Sequence, residues 1–319
     1  MLEKIQAAIA AIPYPSRPEG LYEPISYVMS MGGKRLRPTL VLLAYSLFRS
    51  DWERALPAAT ALEMYHNHTL LHDDLMDRAD MRRGMATVHK KWDDNTAILS
   101  GDTMLLMAAQ TIATQRVGRF NEVNALFLQS AIEICEGQQY DVNFERRRDV
   151  TEEEYIEMIR LKTSVLLGCA AKMGALLADA SDADSEVLYR FAEKIGLAFQ
   201  LQDDYLDCFG DPKVFGKRIG GDILCGKKTF MTVAAMQRMA DDEERGAFLD
   251  MLDASAESEE EEEAKIARVI GIYRRLDIPA VADRRIQGFY DEAKDILSTL
   301  TADTGVLWDY AMSLLKRKV

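Results

Sequence analysis

Two copies of the motif Asp-Asp-x-x-Asp, each set among apolar residues, limit what this chain can fold into. The first copy occupies residues 73–77 and the second residues 203–207. Apolar residues recur around both at helical spacing, which predicts one helix over about residues 53–80 and another over about 184–209. Residues four apart project from the same face of a helix, so Asp73 and Asp77 form a carboxylate pair that repels itself unless a cation lies nearby.

Hard oxygen ligands of this kind suit magnesium, which usually binds one or two carboxylates and completes its shell with phosphate oxygens and water. A single acidic pair on a helix is commonly a solvated face. Two copies on separate helices instead favour a site with carboxylates on both of its walls.

The composition predicts an all-α protein. Among 319 residues, 48% are apolar, only 8 are proline, and alternating β-branched runs are absent. Thr151 is predicted to cap a helix that runs past Lys162 to about residue 178. The acidic run 257–263 predicts the start of another helix. No change in composition divides the chain, so we predict a single domain over residues 1–319.

Charge and apolar patterning exclude several classes of protein. The net charge of −13 argues against nucleic acid as a partner. The N-terminus lacks the apolar segment of a signal peptide, and the most apolar run, residues 164–178, is interrupted by Lys172, so we expect no stable membrane insertion. The cysteines form no CxxC pair, which fits thiols in a reducing cytoplasm.

Basic side chains are concentrated in a few short segments. They comprise Lys34, Arg35, Arg37, Arg82, Arg83, Lys162, Lys217, Lys227 and Lys228. Carboxylates with magnesium would bind one polyphosphate, and cations without a metal would bind a second anion directly. No serine–histidine or cysteine–histidine arrangement is evident. The chemistry most consistent with these groups is departure of a diphosphate, with metal and cations stabilising the developing charge.

Ordered motifs over nearly the whole chain resemble those of the trans-isoprenyl diphosphate synthases, the polyprenyl synthetase family. They are GGKRLRP at 32–38, HNHTLLHDDLMD at 66–77, RRG at 82–84, LKTS at 161–164, FQLQDDYLD at 199–207 and GKRIGGD at 216–222. The resemblance implies an all-α isoprenoid-synthase-type helical bundle around a deep central cavity, in a homodimer.

The resemblance also implies a role for each matching residue. Three magnesium ions, or manganese in their place, would be ligated by Asp73, Asp77 and Asp203 and would hold an allylic diphosphate. Their shell would be completed through water or hydrogen bonds by Asp74, Asp204 and Asp207. The same diphosphate would be held directly by Arg82, Lys162 and Lys217. The diphosphate of isopentenyl diphosphate would be bound by Lys34, Arg37, His66 and Arg83, with Arg317 of the basic C-terminal tail closing over it. Thr163 and Gln200 would stabilise the allylic cation through their oxygen dipoles.

The family reaction is ionisation, condensation and elimination, with dimethylallyl, geranyl or farnesyl diphosphate as the allylic substrate. Residues four and five positions before the first aspartate form the cavity floor in this family, and here they are Thr69 and His68. Thr69 is small and His68 intermediate, so we expect farnesyl to geranylgeranyl products. A longer-chain polyprenyl diphosphate synthase is the alternative.

Other classes explain fewer of these residues. An HD-type metal phosphohydrolase would use His72 and Asp73 but would give the second Asp-Asp-x-x-Asp motif no role. A di-iron bundle would use Glu63 and His66 but needs a second Glu-x-x-His, which the chain lacks. A terpene cyclase would not need the second anion site, and a non-catalytic partner subunit would be expected to lose metal-binding aspartates.

Overall fold

The computed structural model describes residues 1–211 and 219–315 of the chain. Nearly all of its regular structure is helical, which confirms the all-α prediction. Contacts group the residues into an N-terminal unit, Met1–Gln129 with Cys169–Tyr189, and a C-terminal unit, Ser130–Gly168 with Arg190–Val319. The single domain over residues 1–319 stays a prediction. In the part of the chain described, no helix is long and apolar enough to cross a membrane.

Most elements of the N-terminal unit precede residue 114. They are α1 Leu2–Ala10, α2 Glu19–Ser30, α3 Leu36–Ser46, a 3-10 turn Trp52–Ala55, α4 Leu56–Met76, β1 Met81–Arg82, β2 Met85–Ala86, α5 Val88–Lys91 and α6 Asp94–Ala113. α4 is buried along most of its length and packs against α3 and α6. This burial makes α4 the rigid element on which the first aspartate motif is carried.

Three helices contribute residues to both units. They are α7 Phe120–Phe144, α9 Val165–Leu177 and α10 Asp182–Phe209. The other elements of the C-terminal unit are α8 Glu152–Ile159, a π-helical turn Arg160–Ser164, α11 Gly221–Leu224, α12 Phe230–Met236, α13 Asp242–Asp253, α14 Glu259–Arg275, α15 Ile278–Leu297 and α16 Gly305–Leu315. Apolar side chains of α8, α10 and α12 to α15 share one core.

Two predicted helices differ from the observed ones. The first motif's helix ends at Met76 rather than near residue 80, because Arg78 adopts a left-handed conformation and a short antiparallel hairpin, β1–β2, follows. The helix expected to run on through Lys162 is interrupted by the π-helical turn. Two helix starts were predicted correctly: Thr151 and Glu154 form a capping box, and Ser258 caps the acidic first turn of α14.

Candidate active site

The first aspartate motif lies at the C-terminal end of α4. Asp73 and Asp74 are in its last turn and Asp77 is its C-cap residue. A helix C-terminus carries negative partial charge, so three carboxylates there are unfavourable without a cation. Nε of Arg82 donates to Oδ2 of Asp74 at 2.7 Å, and the Arg82 guanidinium lies 3.9 Å from Asp73. Burial raises the pKa of Asp74, and the Arg82 hydrogen bond opposes that shift.

The hairpin that carries Arg82 is tied back to the end of α4. Oγ1 of Thr87 donates to the Ala79 carbonyl at 2.7 Å, and the backbone N–H of Thr87 donates to the Asp80 carbonyl at 3.1 Å. Gly84 turns the hairpin with a φ of 77°. These bonds place Arg82 beside the carboxylates as a consequence of backbone geometry.

The donor set of the first motif fits a hard cation shared with a phosphate ligand. Within residues 1–211 and 219–315, no three histidine, cysteine or acidic side chains come together as a metal site made by protein alone. Magnesium takes only one or two carboxylates when phosphate and water supply its remaining ligands. Oδ1 of Asp74 is buried and has no hydrogen-bond partner among the described residues. Asp73 and Asp77 are therefore suited to magnesium in the presence of a diphosphate.

A second group of cations lies in the N-terminal unit. The Arg37 guanidinium and Nε2 of His66 are 3.0 Å apart, and Arg83 donates to the Gly32 carbonyl with its guanidinium over Gly33. Burial, followed by the charge of Arg37, holds the pKa of His66 well below its usual range. Burial lowers the pKa of Arg37 to about 10, and its buried Nε has no hydrogen-bond partner in the described structure. Such desolvated donors fit an anion.

The neighbouring Arg35 has a different environment. It is buried, donates to Oε1 of Glu63 at 2.7 Å and also donates to the Met29 carbonyl at 3.0 Å. Asn67 adds a bond to the Glu63 carboxylate at 3.3 Å. Arg35 is therefore a structural cation, whereas Lys34 next to it is exposed. Pairing with Arg35 also occupies the glutamate that a di-iron site would have used.

The second aspartate motif lies in the C-terminal unit, near the end of α10. Asp204 is buried and accepts hydrogen bonds from the Tyr155 hydroxyl, from the Phe230 backbone N–H at 3.1 Å and from Nε2 of Gln200 at 3.3 Å. Burial, and then the charge of Asp222, raise the pKa of Asp204 to about 8.

The other two aspartates of this motif differ in exposure. Asp203 is half-buried, whereas Asp207 is buried and accepts from the Asp222 backbone N–H at 3.2 Å. The carbonyl of Asp207 also accepts from the Gly220 N–H at 2.7 Å. Asp207 therefore fixes the start of α11, and Asp203 is the more accessible carboxylate.

Lys162 and Thr163 lie on the π-helical turn. Nζ of Lys162 donates to Asp141 of α7 at 2.5 Å, and Oγ1 of Thr163 donates to Oε1 of Gln200 at 3.3 Å. Two glycines let helices approach the turn: a Cβ on Gly137 would collide with the Lys162 backbone, and one on Gly196 would lie 2.8 Å from Ser164. π-helical turns are frequent at functional sites.

The two residues predicted to limit product length lie in α4. The His68 ring is buried between Tyr65, with ring centroids 5.4 Å apart, and His72, at 4.8 Å. Thr69 is half-buried and donates to the His66 carbonyl at 2.8 Å. Gly101 of α6 leaves the space that the His72 ring occupies.

Some of the predicted site residues cannot be placed, and others were not foreseen. Lys217 and Arg317 lie outside the described residues. Two residues of the site were not predicted from the sequence: Asp141, the partner of Lys162, and Tyr155, the partner of Asp204. Tyr155 is spaced like any core residue of an amphipathic helix, and no motif marks Asp141, so neither carried a signal.

Comparison with known proteins identifies the family. A family model described as polyprenyl synthetase matches residues 18–270. The chain belongs to this family. It is 42% identical over 264 residues to a geranylgeranyl diphosphate synthase of Methanosarcina mazei, covering 82% of this chain and 79% of that one. It is 40% identical over 243 residues to a geranylfarnesyl diphosphate synthase of Natronomonas pharaonis, covering 70% and 71%.

Solved structures of the polyprenyl synthetase family share its fold. A crystal structure of a geranylgeranyl pyrophosphate synthase matches with a TM-score of 0.91 and 40% identity, covering 100% of this chain and 97% of the other. The corresponding enzyme of Pyrococcus horikoshii matches with a TM-score of 0.89 and 31% identity, covering 99% and 94%. The isoprenoid-synthase-type fold is thus confirmed.

Proposed function

We propose that this polyprenyl synthetase condenses isopentenyl diphosphate with an allylic diphosphate, head to tail and in the trans configuration. The observation that carries the proposal is the presence of two anion-binding groups in one unit. Aspartates with Arg82 form the first, and the guanidinium groups of Arg37 and Arg83 with the neutral ring of His66 form the second. Hydrolysis or cyclisation of one diphosphate requires one such group, whereas joining two diphosphates requires both.

Magnesium is the proposed cofactor, and its proposed ligands are Asp73, Asp77 and Asp203. When bound, the metal supplies positive charge that stabilises a departing diphosphate. Asp74, Asp204 and Asp207 would complete the shell of the metal through water or hydrogen bonds. The half-buried Asp203 and the helix-end position of Asp73 and Asp77 support the assignment, because these carboxylates combine access with unfavourable local charge.

The basic residues of the chain divide between the two substrates. Arg82, Lys162 and Lys217 bind the allylic diphosphate, and Lys34, Arg37, His66, Arg83 and Arg317 bind isopentenyl diphosphate. In the described structure Lys162 is held by Asp141 and Arg82 by Asp74, so both cations are oriented before substrate binds. After pyrophosphate leaves the allylic substrate, Thr163 and Gln200 stabilise the remaining allylic cation through oxygen dipoles. The alkene of isopentenyl diphosphate attacks this cation, and the departed pyrophosphate takes up the proton that is lost.

A product between farnesyl and geranylgeranyl diphosphate fits the residues before the first aspartate. Because Thr69 is small, its side chain does not close the cavity floor to the growing prenyl chain. The buried His68 ring then limits how long that chain can become. The relative named geranylgeranyl diphosphate synthase supports this range, whereas the relative named geranylfarnesyl diphosphate synthase supports a longer product. A polyprenyl diphosphate longer than geranylgeranyl diphosphate is the alternative product.

A homodimer is the proposed assembly. Leu99 and Leu106, seven residues apart on α6, are exposed, and so is Leu128 on α7. Leu99 and Leu106 form an exposed aliphatic stripe on α6, with the exposed Asp102 between them in sequence. Exposed aliphatic side chains mark an interaction surface, which a second copy of the chain would bury. All four cysteines are free thiols, which supports a cytoplasmic location.

Asparagine variants of the proposed metal ligands test this function. We expect Asp73→Asn and Asp203→Asn each to lower kcat for condensation by about 100-fold or more, because a charge stabiliser of the transition state is lost. The control is Asp295→Asn, the same change at an exposed position of α15, which should leave kcat unchanged. Near-full activity in both ligand variants would contradict the metal assignment.

A further inference from the structure

Four side chains of the C-terminal unit form a continuous hydrogen-bonded chain. The Tyr155 hydroxyl donates to Oδ2 of Asp204, Nε2 of Gln200 donates to Oδ1 of Asp204 at 3.3 Å, and Oγ1 of Thr163 donates to Oε1 of Gln200 at 3.3 Å. Tyr155 and Asp204 are both buried, at 3% exposure each. The chain connects the core of α8 to the two residues proposed to face the allylic cation.

The bonds of Gln200 determine which way its amide points. A glutamine amide has an oxygen end that only accepts and a nitrogen end that only donates, and the two ends are nearly equal in shape. A carboxylate at the nitrogen end and a hydroxyl donor at the oxygen end together favour one orientation. In that orientation the amide oxygen lies beside Thr163, so both oxygen dipoles are side by side.

Protein donors already engage both oxygens of Asp204. Oδ1 accepts from Gln200, and Oδ2 accepts from Tyr155 and from the Phe230 backbone N–H at 3.1 Å. The backbone bond fixes the carboxylate to the start of α12, and the Tyr155 bond fixes it to α8. A carboxylate held from two elements is well suited to orienting a third group.

We infer that Tyr155 and Asp204 are positioning residues that hold the Gln200 amide with its oxygen beside Thr163, where the allylic cation forms. This inference rests on the proposed function, because it needs a cation to be stabilised. It assigns Asp204 an action through Gln200, in contrast to the metal-binding role of its neighbour Asp203. Tyr155 thereby becomes part of the catalytic machinery without touching substrate.

A double-mutant cycle between Tyr155 and Gln200 tests the inference. Tyr155→Phe, Gln200→Leu and the double variant are compared with the wild type for kcat and for KM of isopentenyl diphosphate. We expect Tyr155→Phe to lower kcat by about 10- to 100-fold with KM unchanged, since misplacing a polar group costs that much. In the Gln200→Leu background Tyr155→Phe should have no further effect, because the residue it positions is gone.

A matched variant separates positioning from loss of stability. Tyr273→Phe also removes a buried tyrosine hydroxyl of the C-terminal unit, one that lies 2.9 Å from the Thr232 hydroxyl. It should leave kcat at the wild-type value. If Tyr155→Phe does not fold, Tyr155→Met, which also removes the hydroxyl but keeps an adaptable apolar side chain, replaces it in the same cycle with the same expected result.

The possible outcomes are distinguishable. Wild-type kcat in Tyr155→Phe, or losses in kcat that multiply in the double variant, would overturn the positioning role. A wild-type protein that performs no condensation would instead overturn the proposed function.

Discussion

His68 shows how one buried side chain can affect both packing and specificity. Its ring lies between those of Tyr65 and His72 on the buried helix α4, five positions before the first aspartate. A side chain in such close packing cannot move aside without disturbing its neighbours. Its size should therefore limit any product tail that reaches this part of α4.

Substitutions at the predicted floor should change product length in opposite directions. His68→Ala removes the ring and should give longer products than the wild type. Thr69→Phe introduces a ring at the adjacent position and should give shorter ones. Chromatographic sizing of dephosphorylated products measures both, and an unchanged product in the two variants would show that the floor lies elsewhere.

His68 should also contribute to the pH dependence of stability. Burial, and then the neighbouring His72, lower the pKa of His68 to about 4, whereas a histidine in the unfolded chain has its ordinary pKa of 6.5. Between these values the unfolded chain binds more protons, so stability contributed by neutral His68 is complete above pH 6.5 and is lost as pH falls towards 4.

A non-titrating variant isolates this contribution. The drop in Tm between pH 7 and pH 5 should be smaller in His68→Gln than in the wild type. Differential scanning calorimetry at the two pH values measures it, and equal drops would contradict the assignment.

Among the elements, the π-helical turn combines two proposed site residues with close packing against neighbouring helices. It carries Lys162 and Thr163, and glycines of α7 and α10 approach its backbone. Glycine within a helix costs about 1 kcal/mol relative to alanine. Gly137 and Gly196 therefore lower the stability of their own helices but allow these helices to approach the turn closely.

Alanine at Gly137 should disturb the turn. Its Cβ would collide with the Lys162 backbone, so Gly137→Ala should destabilise the protein by about 1–3 kcal/mol and lower kcat. Gly271→Ala and Gly288→Ala are matched controls, since within the described residues no atom outside the adjoining helix backbone lies within 4 Å of either added Cβ. The controls should raise stability by up to about 1 kcal/mol. Urea denaturation measures the free energy of unfolding of each variant, and steady-state kinetics measures its kcat. A Gly137→Ala variant with wild-type stability and kcat would contradict the inferred packing of the turn.

Local patterns in the sequence predicted the elements better than the contacts between them. The capping box at Thr151 and the acidic start of α14 depend on neighbouring residues, so both could be predicted. The π-helical turn depends on glycines distant in sequence, and the Tyr155–Asp204 bond joins residues 49 apart. Periodicity cannot reveal such pairs, because each partner alone looks like an ordinary core residue.

At the scale of the whole molecule, negative charge coexists with anionic substrates. The net charge of −13 would repel diphosphates, yet the cations proposed to bind them are grouped at Arg37, Arg82 and Arg83. Local cations and bound metal therefore have to outweigh the overall charge. Added salt screens long-range repulsion more than contacts within a buried group.

The exposed stripe of α6 should hold two copies of the chain together. Leu106 is 67% exposed, and Leu106→Asp places a charge in the proposed interface and should yield a monomer. Val306→Asp is the control, because Val306 is 68% exposed on α16, away from this stripe in sequence. Sedimentation velocity distinguishes the two forms, and a dimeric Leu106→Asp or a monomeric wild type would contradict the assembly.

The dependence of turnover on both substrates tests the central claim most directly. Purified protein with magnesium is incubated with geranyl diphosphate, with radiolabelled isopentenyl diphosphate, or with both, and released phosphate species and products are separated. We predict that pyrophosphate and a labelled, longer prenyl diphosphate form only when both substrates are present. Release of phosphate or pyrophosphate from geranyl diphosphate alone, without a labelled product when both are supplied, would contradict the account.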